Sequence, residues 1–73
     1  MNDVLTPTEL AIQAHGGVRR LARAVGCDPS AVVRWRKSGL VPSGYQRKVL
    51  ETAWAQGVDL TAHELIFGRE VYA

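Results

Sequence analysis

The sequence predicts an all-α fold, a compact bundle of about five short helices, on three observations. Helix start and stop signals recur along its 73 residues. Between those signals, apolar residues return at the three-and-four spacing of a helix face. No segment alternates convincingly like a strand. Hydrophobic residues make up 47% of the chain and charged residues 22%, which suits one small globular domain better than a disordered segment. A chain of this length buries only about 60% of its extended surface on folding. The expected core, over about residues 6–68, is therefore modest, with a short tail at each end.

Each element has a local reason. Thr6-Pro7-Thr8-Glu9 offers an N-cap threonine, a proline at the first helical position and a capping-box glutamate, with Leu5 and Leu10 spaced as a hydrophobic staple. Helix one then runs from about Pro7 to His15 and stops at Gly16-Gly17. Val18, Leu21, Ala22 and Val25 form the apolar stripe of a second helix, which Gly26 interrupts. Asp28 is a good N-cap and Pro29 suits a first turn, so helix three spans about Pro29 to Ser38 and ends at Gly39. Ser43-Gly44-Tyr45-Gln46 repeats the capping-box pattern and opens helix four, which runs to about Gln56 with apolar Tyr45, Val49, Leu50, Ala53 and Trp54. Thr61-Ala62-His63-Glu64, stapled by Leu60 and Leu65, starts a fifth helix that ends near Gly68. The tail from Arg69 to Ala73 is open between a short strand around Glu70-Val71-Tyr72, a dimer contact and a frayed end.

The net charge of +2 hides an uneven distribution. Between Val18 and Lys48 stand eight basic residues against one acid, Asp28, while the rest of the chain sets Arg69 against six acids. A basic middle between acidic ends suits a polyanionic partner, although a solvated helix face explains the charge alone equally well. The segment from Val18 to Ser38 decides between them. Two short helices joined by a three-residue turn containing glycine form the helix-turn-helix pattern. Small Ala22 allows a close helix crossing, Gly26 permits positive φ in the turn, and apolar Val25, Val32 and Trp35 clamp the pair onto the core. Opposite that apolar side, Ser30, Val33, Arg34 and Lys37 fall on one stripe of helix three. Serine can donate or accept at a base edge or phosphate, and valine can pack on a thymine methyl. Arginine can pair bidentately with guanine, and lysine suits phosphate or guanine. We therefore expect these four to read bases.

The runs Gly16-Gly17-Val18, Leu21 to Cys27, Ser30 to Trp35 and Gly39-Leu40-Val41-Pro42 resemble the Cro/YdaS-like helix-turn-helix regulators of phages and prophages. The ending Val58 to Leu65 also resembles that family, so the resemblance covers roughly Pro7 to Gly68. It implies a lambda-repressor/Cro-like fold and a small repressor-type protein that inserts helix three into the major groove of double-stranded DNA, usually as a homodimer on a palindromic operator. By position, Asp28 to Ser30 lie at the groove-facing start of that helix, and Pro29 departs from the polar residue often found there. Phosphate contacts are expected at Gly17, Val18, Arg19 and Arg23 around the start of helix two, and at Ser43, Gly44, Arg47 and Lys48 around the start of helix four. The dimer contact is expected through helix four, helix five or the tail.

Other residues have plainer readings. Trp35, Tyr45 and Trp54 read as core, with a dimer interface as the alternative for Trp54. Cys27 reads as a small buried hydrophobe, and Arg36 as a residue whose stem shields the core. His15 and His63 are isolated, and His63-Glu64-Leu65-Ile66-Phe67 lacks the second histidine of a zincin motif. No histidine or carboxylate partner is foreseen for Ser30. No carboxylate pair, catalytic triad, phosphate loop or metal cluster can be assembled, so no enzyme, cofactor or metal is expected. One cysteine excludes an internal disulfide, no apolar run approaches the ~20 residues of a membrane span, and Met1 to Leu5 lacks the order of a signal peptide. A cytoplasmic protein is expected. Two other readings stand beside the regulator: a protein-interaction module of antitoxin or phage-inhibitor type, and an architectural protein that binds DNA without preference.

Overall fold

The computed structural model describes the backbone of residues 2–72 and the side chains of residues 4–69. Five helices follow one another: α1 (Pro7–His15), α2 (Val18–Val25), α3 (Pro29–Ser38), α4 (Ser43–Ala55) and α5 (Ala62–Phe67). The fold is the expected all-α bundle. Two short strands are added to it, β1 (Asn2–Leu5) and β2 (Arg69–Tyr72), which pair antiparallel with Leu5 opposite Arg69 and Asn2 opposite Tyr72. Of the readings open for the tail, Arg69–Tyr72 is strand; Ala73 lies outside the described residues.

Local chemistry explains most helix ends. The Thr6 hydroxyl accepts from the Glu9 amide, Asp28 accepts from the Ser30 amide, and Thr61 and Glu64 complete a reciprocal capping box. The box expected at Ser43 does not form. Pro42 is the N-cap of α4, no side chain caps that end, and Gln46 instead donates from Nε2 to the Val41 carbonyl at 3.1 Å. Proline at 42, with φ −56° and ψ 143°, already sets the entry of the helix, so Ser43 becomes its first residue.

The core joins Leu10 and Ala11 of α1, Leu21, Ala22 and Val25 of α2, Val32 and Trp35 of α3, and Val49 and Ala53 of α4. Val41, Leu60 and Leu65 complete it. Tyr45 is half-buried and packs its ring on Trp35, with centroids 5.0 Å apart. Trp54 is not core. It is 54% exposed, and its indole N–H donates to the Leu60 carbonyl at 2.6 Å. Val49 and Ala53, four residues apart, define the buried line of α4, and position 54 falls about 100° away from Ala53 around the helix.

Two buried polar side chains tie helices together. Thr8 of α1 donates from Oγ1 to the Trp35 carbonyl at 3.0 Å, and its amide donates to the Gly39 carbonyl at 3.3 Å. His15 donates from Nδ1 to the Ala11 carbonyl at 2.8 Å, and its Nε2 lies 2.6 Å from Thr52 Oγ1 on α4. His15 is thus a satisfied structural histidine, and His63 is exposed beside Phe67. Among the described residues no group of histidine, cysteine and carboxylate side chains is placed to hold a metal, and no helix is long and apolar enough to cross a membrane.

Candidate nucleic-acid interface

The α2–α3 pair is built by its turn. Gly26 takes φ +78°, a left-handed conformation that costs an L side chain about 1–2 kcal/mol, and its amide closes α2 on the Ala22 carbonyl. Asp28 then caps α3 at once, so only Gly26, Cys27 and Asp28 separate the helices. Ala22, with 1% of its surface exposed, sits under the crossing.

α3 has two sides of opposite character. Val32 and Trp35 are buried at 0% and 6% exposure, while Ser30, Val33, Arg34 and Lys37 are all exposed. The C-terminal end of the helix is fixed at the Trp35 carbonyl, which accepts from Thr8 Oγ1, Ser38 Oγ at 3.1 Å and the Gly39 amide at 2.7 Å. The exposed stripe is thus carried on an element whose opposite side is packed and bonded.

The start of α3 holds a feature absent from the sequence reading. Ser30 has a carboxylate partner: its hydroxyl and its amide both donate to Asp28 Oδ1, each at 2.9 Å. These two bonds, the backbone one first, hold the Asp28 carboxyl below its ordinary value against the opposing effect of desolvation, and the nearby Arg34 charge adds to the effect. The Asp-Pro-Ser spacing contains the signal, since an N-cap aspartate reaches the amide two residues on. Cys27 is half-buried, and burial, followed by the Asp28 charge, pushes its thiol above the ordinary value; Arg34 opposes them. Cys27, expected as a small buried hydrophobe, is thus only partly covered, packed at the edge of the core.

The expected phosphate positions flank this stripe unevenly. Arg19 and Arg23 are exposed and line, with Ala22, Cys27 and Pro29, a shallow groove beside the start of α3. No side chain caps α2, which leaves the first-turn amides of Val18 and Arg19 open to an anion. Gly17 departs from the expectation: its amide is already donated to the Ile12 carbonyl at 3.1 Å. Ser43 and Gly44 are exposed at the uncapped start of α4, as is Lys48 one turn further on. Arg47 is exposed but pairs with Glu51 at 3.7 Å, a surface contact too weak to withhold it from a phosphate. Among the described residues, the ion pairs are Arg47 with Glu51 and Arg69 with Glu64. None involves Arg19, Arg20, Arg23, Arg34, Arg36, Lys37 or Lys48, so these seven side chains have no ion-pair partner among the described residues.

No protein-family model, curated protein or solved structure matches the chain.

Proposed function

We propose that this chain is a sequence-specific DNA-binding transcriptional regulator of the Cro-like, prophage-repressor kind, acting in the cytoplasm on double-stranded DNA. The observation that carries the reading is the division of α3: Ser30, Val33, Arg34 and Lys37 are exposed together, with Val32 and Trp35 buried behind them. A solvated helix usually mixes Glu with Lys, whereas α3 has no acid beyond its cap. In the proposed complex α3 enters the major groove. Arg34 and Lys37 pair with guanine or phosphate, and Val33 packs on a thymine methyl. Val18, Arg19, Arg23, Ser43, Gly44, Arg47 and Lys48 set the register on the backbone. Two copies acting as a homodimer place their α3 helices roughly 34 Å apart on an inverted repeat. Occupancy of the operator is the mechanism; no bond of the DNA is changed.

One further observation supports a protein contact. Trp54, Ile66 and Phe67 of α4 and α5 are exposed, at 54%, 49% and 68%, which suits the protomer contact of such a dimer. The same residues would serve the competing reading, an interaction module that grips another protein and has no use for α3.

Selection from a random duplex pool, followed by footprinting, tests the proposal. An enriched inverted repeat is expected. Arg34→Ala should weaken binding to that repeat by about 1–3 kcal/mol and binding to random duplex much less. Equal losses on both would reduce Arg34 to a backbone contact. No detectable binding at low salt would remove the DNA reading in favour of the interaction module.

A further inference from the structure

We propose that, away from DNA, the exposed apolar patch of α4 and α5 takes the α3 helix of a second copy of this chain, a head-to-tail contact that duplex DNA displaces. The contact itself rests on the layout of charge and apolar surface; only its displacement by duplex rests on the DNA-binding reading above. From Leu50 to Gly68 the chain has three acids and no lysine or arginine. Within that stretch Trp54, Ile66 and Phe67 are exposed, and the Trp54 indole N–H donates to the Leu60 carbonyl. Asp59, the residue before Leu60, is exposed and joins no ion pair among the described residues, while Glu51 and Glu64 answer Arg47 and Arg69. The patch therefore combines open aromatic rings with a carboxylate that no base answers.

The exposed side of α3 is its converse. Arg34, Arg36 and Lys37 stand there without ion-pair partners among the described residues, and Val33 and the following Leu40 add exposed apolar surface. Guanidinium and ammonium groups are attracted to the ring faces of Trp and Phe, and they form charge-assisted hydrogen bonds with a carboxylate. No ion pair among the described residues joins the two surfaces within one molecule, so the match is open to a neighbour. Pairing the patch with its own copy brings no free base to Asp59, whereas pairing it with α3 does, and charge complementarity selects α3 as the occupant. Such a contact uses different surfaces on its two partners. Each pair keeps one patch and one α3 free, so the assembly lengthens with concentration instead of closing at two. Duplex DNA competes for the same α3, and its hold on that helix frees the patch for the protomer contact described above.

Sedimentation velocity of the full chain over a range of protein concentrations, in low and in high salt, tests the contact. Wild type is expected to form a series of species that grows with concentration and shrinks as salt rises. Lys37→Glu damages the α3 surface and Phe67→Ser the patch, and each is expected to weaken self-association about tenfold. Mixed together, each variant still offers the surface that the other lacks, so the mixture is expected to recover pairs that stop at two. Circular dichroism melts verify that both variants fold. Should Phe67→Ser fail to fold, Lys37→Glu decides alone, because a symmetric contact through α4 and α5 leaves Lys37 untouched. An excess of random-sequence duplex is expected to break the wild-type series down. A closed dimer that Lys37→Glu leaves intact overturns the inference, as does a monomer at every concentration. So does a series that persists while duplex is bound. If duplex does not bind at all and the series keeps its response to both variants, the contact stands and the DNA-binding reading falls.

Discussion

Trp35 joins the core to the surface it supports. Its ring packs on Tyr45 and is buried, while its carbonyl receives donors from α1, from Ser38 and from Gly39. Trp35→Ala is expected to cost about 3–5 kcal/mol, a large share of the stability of so small a domain, and urea unfolding measures it. The two sides of α3 were legible because a period of 3.6 sorts residues before any tertiary contact is known. Trp54 was misread by the same logic: an aromatic next to a buried line is taken for core, but α4 is covered along Val49 and Ala53 only. The Ser30–Asp28 bonds were missed for another reason, since a cap is usually counted by the amide it satisfies and the hydroxyl it also captures is overlooked.

At the scale of elements, glycines and caps decide where helices end. Nothing lies within 4 Å of a side chain built on Gly26, so Gly26→Ala should cost only its left-handed strain, about 1–2 kcal/mol. Gly68 differs. It takes φ +82° with ψ −170°, a region reserved for glycine, and a Cβ there would overlap the Leu5 carbonyl. Gly68→Ala is expected to lower the thermal midpoint more than Gly26→Ala and to break the β1–β2 pairing, read from amide exchange in residues 2–5 and 69–72. The junction also responds to acid. Arg69, by its hydrogen bond to Glu64, holds the Glu64 carboxyl below its ordinary value, which desolvation would otherwise raise, and the Thr61 amide assists. A carboxyl lowered by folding stabilises fully above its unfolded value and loses that contribution as pH falls through the folded one. Stability should therefore begin to fall below about pH 4.5, with Asp28 following below about 3.8, and Glu64→Gln should remove its part of that dependence in melts taken at stepped pH. Helices with complete local signals were legible in sequence. The ribbon was not, because four residues pair with four others more than sixty positions away and neither run announces its partner.

At the scale of the whole molecule, charge separation is the property that sets behaviour. If about 4–6 phosphates are neutralised per protomer, log affinity should fall against log salt with a slope of about −7 to −11 for a dimer on B-form DNA. Filter binding between 50 and 200 mM salt reads it, and a slope near zero would place the affinity outside the phosphate contacts. The basic middle was visible in composition, but that Arg47 alone of its side chains meets an acid among the described residues depended on where the chain put its acids. A last consequence follows from the three donors gathered on one carbonyl at the end of α3. A probe moored so firmly arrives already shaped, so docking would forfeit little chain entropy. Its heat-capacity signature would then report surface removed from water, without the larger signal of a segment that folds as it binds.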